Sequence, residues 1–160
     1  MERLVPENSK ELLSSLQEIT QELNDEIKEV FEEDANFCPA PTEWSVKEIL
    51  CYLSDADRIT TKRINIILDD DEPFLRAFNP DELAVEHDYK GQTWDEAKRN
   101  FQEARQANLE LLQSLQPIQW LKGAIHQERG HVTIQDLAET LNGYSRSYLE
   151  QIRHALWLAK

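Results

Sequence analysis

Tyr144 and Tyr148 lie one helical turn apart in the stretch AETLNGYSRSYLEQIRHA, residues 138–155. Leu137, Leu141, Tyr144, Tyr148, Ile152 and Ala155 recur at steps of three and four, which places them on one face of an α-helix. Two phenol hydroxyls therefore point at whatever that face packs against. A third phenol, Tyr52, falls within the apolar stripe of an earlier helix, with Asp55 and Asp57 flanking its edge. Buried phenols need hydrogen-bond partners. In a dry pocket they can also stabilise a developing oxyanion.

Other reactive side chains form weaker patterns. His126 and His131 bracket Glu128 in a connection, and their spacing reads as a pair of exposed loop histidines. His154 is two residues from Ile152 and points away from the core stripe. Cys38, in the breaker NFCPAPT (residues 36–42), has no neighbouring His or Lys and reads as a partly packed loop thiol. The acidic run starting at Asp69 lacks the alternating ligands, mid-loop Gly and closing Glu of an EF-hand. Asp57-Arg58 reads as part of a solvated face. There is no GxSxG, HExxH, P-loop or dinucleotide fingerprint.

Four long helices must position these residues. The first is expected from Asn8, with a capping box to Glu11, and carries Leu12, Leu16, Ile19, Leu23, Ile27 and Val30 out to about Phe31. Two prolines in residues 36–42 end it. Ser45 and Glu48 cap the second, whose stripe of Ile49, Tyr52, Leu53, Ala56 and Ile59 runs to about Leu68. Residues 69–92 form a long connection, with a short helix opened by Asn79-Pro80. Thr93 and Glu96 cap the third helix, which bears Ala97, Phe101, Ala104, Asn108 and Leu115. A second long connection, 116–132, leads to Thr133 and Asp136 at the start of the fourth. Nothing reads as a strand. The economical arrangement is all-α, a four-helix bundle with long crossover connections, and one domain spanning residues 1–160.

Composition narrows the partners. Seventeen basic residues against 31 acidic ones give a net charge of −14, which repels phosphate backbones and anionic lipid. No nucleic acid or membrane partner is expected. The N-terminal residues lack an apolar signal segment, and no run approaches the roughly 20 apolar residues of a membrane span. Two cysteines without a CxxC pair suit a reducing cytoplasm.

The segment WSVKEILCYLSDADR, followed by TIQDLAETLNGYSRSYLEQIRHAL, resembles the DinB-like (YfiT-type) four-helix-bundle superfamily. The resemblance covers nearly the whole chain in element order and loop placement. It is most specific at Trp44–Glu48, at Thr133 and at Leu149–Ile152. It implies a divalent metal held by three histidines, one on the second helix and two four residues apart on the last, with thiol-dependent transferase, isomerase or hydrolase activity in some members. Residue by residue, those positions fall here on Tyr52, Tyr144 and Tyr148.

The exchange matters chemically. Neutral imidazole offers a lone pair at pH 7, whereas a phenol, with a pKa near 10, must lose a proton to bind as phenolate. Three phenolates would overload a divalent ion with negative charge; ferric iron is the metal that best accepts them. The expectation is that the rings fill the former cavity and the hydroxyls bond to one another, to Asp55 or Asn142, or to water. His87-Asp88-Tyr89 is placed near the pocket mouth. The resemblance and the tyrosines together imply a DinB-like protein without the three-His metal site or any other cofactor. It would bind a small ligand or act as an interaction module at Tyr52, Tyr144, Tyr148 and Asp55, and the resemblance suggests a homodimer through exposed apolar helix surface. The alternative is a metal-independent or thiol-dependent transferase or hydrolase that works through the same tyrosines.

Overall fold

The computed structural model describes residues 5–160, with side chains from Asn8 onward. Six α-helices occur among them: α1 (Val5–Ile27), α2 (Glu32–Ala35), α3 (Val46–Asp69), α4 (Pro80–Glu86), α5 (Trp94–Ser114) and α6 (Ile134–Ala159). The four long ones are α1, α3, α5 and α6. Of these, α3, α5 and α6 cap where the sequence places their caps, and all four bury their apolar stripes. Ser45 Oγ accepts from the Glu48 amide and Glu48 Oε1 from the Ser45 amide, both at 3.2 Å. Thr133 and Asp136 make the same reciprocal pair at α6. Asn79 Oδ1 accepts from Asp81 and Glu82 at the start of α4, where Pro80 lacks an N–H to satisfy. The α1 stripe falls differently at its ends. Asn8 lies inside the helix, and the helix stops at Ile27, leaving Phe31 79 % exposed.

α3 packs against α5 and α6, and α1 packs against the same two helices, so α1 and α3 sit diagonally across the bundle. The connections α1–α3 and α5–α6 therefore cross the bundle, whereas α3–α5 joins neighbours. The 24 residues between those neighbours are far more than an adjacent pair requires. They fold instead into β1 (Phe74–Leu75), α4 and a 3₁₀ turn at Tyr89–Gly91, which lies against α3 as α4 does.

The all-α bundle carries a minor sheet of three short strands, where nothing in the sequence reads as a strand. β2 (Gly123–His126) and β3 (Gly130–Thr133) form an antiparallel hairpin, turned at Gly130 with φ +74°, where glycine carries no Cβ penalty. β1 pairs parallel to β2, Leu75 opposite His126. The sheet stitches the two long connections together. Its strands are two to four residues long, too short to register as a run of alternating residues. No helix among the described residues is long and apolar enough to cross a membrane.

The core holds the expected residues, Leu16, Ile19, Leu23, Ile49, Leu53, Phe101, Leu141 and Ile152 among them. It also holds a charge pair. Asp57 is fully buried, not solvated, and its partner is the equally buried Arg105. Arg105 Nε donates to Asp57 Oδ2 at 2.8 Å and Nη2 to Oδ1 at 3.2 Å. Nη2 also reaches Ser145 Oγ at 2.9 Å, and Nη1 reaches Thr20 Oγ1 at 3.0 Å. Both hydroxyls donate their own protons to carbonyls one turn back, Leu141 and Leu16, which leaves their lone pairs for the guanidinium. One residue from each long helix thus meets at the bundle centre. Burial pushes the Asp57 carboxyl up, while the Arg105 charge and hydrogen bonds pull it down.

Candidate functional site

The three tyrosines come together. The Tyr52 ring lies 5.5 Å from Tyr148 and 6.2 Å from Tyr144, centroid to centroid. Tyr52 is held by the centre of the α3 stripe and is buried. Tyr144 and Tyr148 are half-buried, because the middle of the α6 stripe runs through Ser145 and Leu149, placing both phenols on its shoulder.

Trp44, immediately before the α3 cap, packs among these rings. It lies 5.4 Å from Tyr52, stacks on Tyr148 at 6.3 Å with the planes 18° apart, and meets Tyr89 edge-on at 5.9 Å. Phe78, from the crossing segment, closes on Tyr52 at 6.4 Å. Offset and edge-to-face contacts of this kind stabilise by about 0.5–1.5 kcal/mol each beyond area burial. Burial raises the Tyr52 pKa, and the neighbouring Tyr144 and Tyr148 raise it further; burial likewise raises Tyr148. Both therefore stay neutral phenols at physiological pH.

Asp55 is not a partner of these three. Its Oδ2 accepts from the Tyr89 hydroxyl at 2.7 Å and contacts His87 Nδ1 at 2.8 Å, and its Oδ1 meets Arg58 at 3.3 Å. The crossing segment has claimed the carboxylate, so none is left for the phenols. Asn142 is also elsewhere, its Oδ1 accepting from Ser15 Oγ at 3.3 Å. His87 does reach this region, and its hydrogen bond to Asp55 pulls its pKa above the ordinary 6.5.

His126 is a second correction. It is buried, at 8 % exposure, because alternation along β2 turns it inward with Ala124, whereas His131 is exposed as expected. Its Nδ1 accepts backbone N–H groups from Glu128 and Arg129, at 3.1 and 3.2 Å. That fixes the neutral tautomer with its proton on Nε2. Burial, followed by the charges of Arg63 and Arg129, pushes its pKa down. A cavity of about 170 Å³ opens here, with Tyr52 and Tyr144 on one wall and Arg63, Phe78, His126 and Arg129 among its other lining residues.

Neither thiol is activated. Cys38 is exposed as a residue, and its pKa is raised by the partial burial of its sulfur and by Glu48, whose Oε1 lies 3.7 Å away. Cys51 is buried and pushed up to about 12, chiefly by burial.

As a donor set, these residues do not suit a divalent cation. Among the described residues, no three His, Cys, Asp or Glu side chains converge as metal ligands. The side chains that do converge are phenols, and burial favours the protonated form of Tyr52 and Tyr148.

No curated protein matches the chain in sequence. Among solved structures, the fold is similar to that of YfiT from Bacillus subtilis, described as "a probable metal-dependent hydrolase with an unusual four-helix bundle topology". The TM-score is 0.80 at 16 % identity, covering 92 % of this chain and 85 % of that one, and the likeness carries the fold. The family model of the DinB superfamily matches residues 12–152, so the chain belongs to the DinB superfamily.

Proposed function

We propose that this protein is a DinB-superfamily module that binds a small ligand without the three-His metal centre, at a site built around Tyr52, Tyr144 and Tyr148. The observation that carries this reading is the aromatic cluster. The Tyr52 ring lies within 6.2 Å of both Tyr144 and Tyr148, the three phenols that the sequence resemblance sets at the metal-ligand positions, and Trp44 packs against two of them. Ring packing has taken the place of a coordination sphere, and a cavity remains beside it.

The chemistry of the neighbours favours binding over turnover. A thiol-dependent transferase needs an accessible activated group. Here both thiols are pushed towards the protonated form, and the His126 Nδ1 that could accept a proton is already occupied by two amides.

Metal analysis tests the reading. Protein purified without an affinity tag and dialysed against zinc or nickel is expected to retain no stoichiometric ion, and to show no phenolate charge-transfer band with ferric iron. One tightly bound equivalent of any of the three overturns it.

A further inference from the structure

Arg63 and Arg129 face the same cavity in a chain where acidic residues outnumber basic ones 31 to 17. Among the described residues, neither arginine forms an ion pair. Both are instead held by neutral groups. Arg63 donates to the Arg76 carbonyl, and its guanidinium lies 5.2 Å over the Phe78 ring. Arg129 donates to Thr140 Oγ1 at 3.1 Å. These contacts fix the two side chains without neutralising them, and each guanidinium has five N–H donors in all. Burial lowers the Arg63 pKa, and the charge of Arg129 is among the influences that lower it further. An anion between the two would relieve that repulsion.

We propose that this cavity binds a small monoanionic carboxylic acid with a compact apolar body, its carboxylate held by Arg63 and Arg129. The inference rests on the metal-free ligand-site reading above. A guanidinium fork matches a carboxylate with two parallel N–H···O bonds. His126, neutral and with Nδ1 occupied, offers its Nε2–H as a further donor. Glu128 also lines the cavity, so the lining carries two positive charges and one negative. That net single positive charge is matched by a monoanion, whereas a phosphate dianion would leave one negative charge uncompensated. Phe78, Leu137, Pro80 and the Tyr52 ring supply apolar wall for the body of the acid, and Thr60 and Thr140 add neutral hydroxyls. A cavity of about 150 Å³ takes a benzene ring, so about 170 Å³ sets the scale of the acid.

Benzoate is the probe, titrated calorimetrically into metal-free full-length protein, with benzamide and phenylphosphonate as the neutral and dianionic comparisons. Saturable benzoate binding to one site is expected. Benzamide should bind about tenfold weaker or worse, and Arg63→Gln and Arg129→Gln should each weaken benzoate about ten- to hundredfold. Arg129 is exposed, so Arg129→Gln keeps the test sound if Arg63→Gln fails to fold. Equal affinity for benzamide, a preference for phenylphosphonate, or no benzoate binding by metal-free protein each overturns the carboxylate assignment and leaves the metal-free reading standing. Benzoate binding that appears only after zinc is added sinks the metal-free reading itself.

Discussion

Asp55 and Asp57 stand two residues apart on α3, and the helical repeat sends them to opposite sides. Asp57 enters the centre of the bundle, where Arg105, Ser145 and Thr20 bring the other three long helices to one point. Asp55 turns to the crossing segment and holds Tyr89 and His87. The same side chain serves two purposes. At the centre it fixes how four helices meet. At the edge it fastens a structured flap, through one buried phenol and one histidine whose side chain is 46 % exposed. The first site is closed to solvent, whereas the second borders the aromatic cluster through the contact of Tyr89 with Trp44.

Removing the central carboxylate should have the largest effect. Asp57→Ala leaves Arg105 charged, fully buried and without its counter-ion, and breaking such a pair costs about 3–5 kcal/mol. Chemical denaturation should show that loss as a lower midpoint. Only the removal of one partner should be so costly, since replacing a buried pair with well-packed apolar residues is often neutral or stabilising. If Asp57→Ala costs under about 1 kcal/mol, the contrast between centre and edge fails.

Asp55→Asn should cost less, about 1–3 kcal/mol, because it weakens charge-assisted hydrogen bonds without stranding a buried cation. It should also change how stability depends on pH. The His87 pKa is raised in the folded protein by its bond to Asp55, so the protonated ring is the stabilising form. That contribution is complete below the ordinary value of 6.5 and is lost as pH rises through the higher folded value. Thermal midpoints measured across that window should therefore fall with rising pH. The fall should be small, since His87 is nearly half exposed, and the Asp55→Asn substitution should flatten it. An unchanged slope would remove His87 from the fastening.

The same division marks what could be read from the sequence. Stripe periodicity and capping residues set out the four long helices, because these signals are local. Tyr52, Tyr144 and Tyr148 were legible as a group through the family resemblance, and they do meet. Asp57 carried a readable signal that its charge masked. It lies four residues after Leu53 and seven after Leu50, both fully buried, and Arg105 lies four after Phe101. Periodicity placed both charges inside, and only their pairing makes that tolerable. His126 carried a similar signal, two residues after the buried Ala124, but it lay in a strand too short to be recognised. The partners of Asp55, the position of Trp44 and the meeting of Arg63 with Arg129 depend on where the crossing segments land. No local pattern encodes that.

The smallest effect should come from a residue inside the cluster. Tyr148 stacks on Trp44 and packs against Tyr52, yet among the described residues its hydroxyl makes no hydrogen bond. Tyr148→Phe keeps both ring contacts, so stability should change by no more than about 0.5 kcal/mol. Tyr89, against the same Trp44, is the opposite case, because its hydroxyl is tied to Asp55. Trp44 links the tyrosine cluster to the fastened flap by ring contact, and the flap adds the hydrogen bond from Tyr89 to Asp55. Denaturation midpoints for Tyr148→Phe that shift by about 2 kcal/mol or more would mean that the phenol hydroxyls, not the rings, hold the cluster together. The site would then be a polar network closed on itself, with little donor capacity left for a ligand.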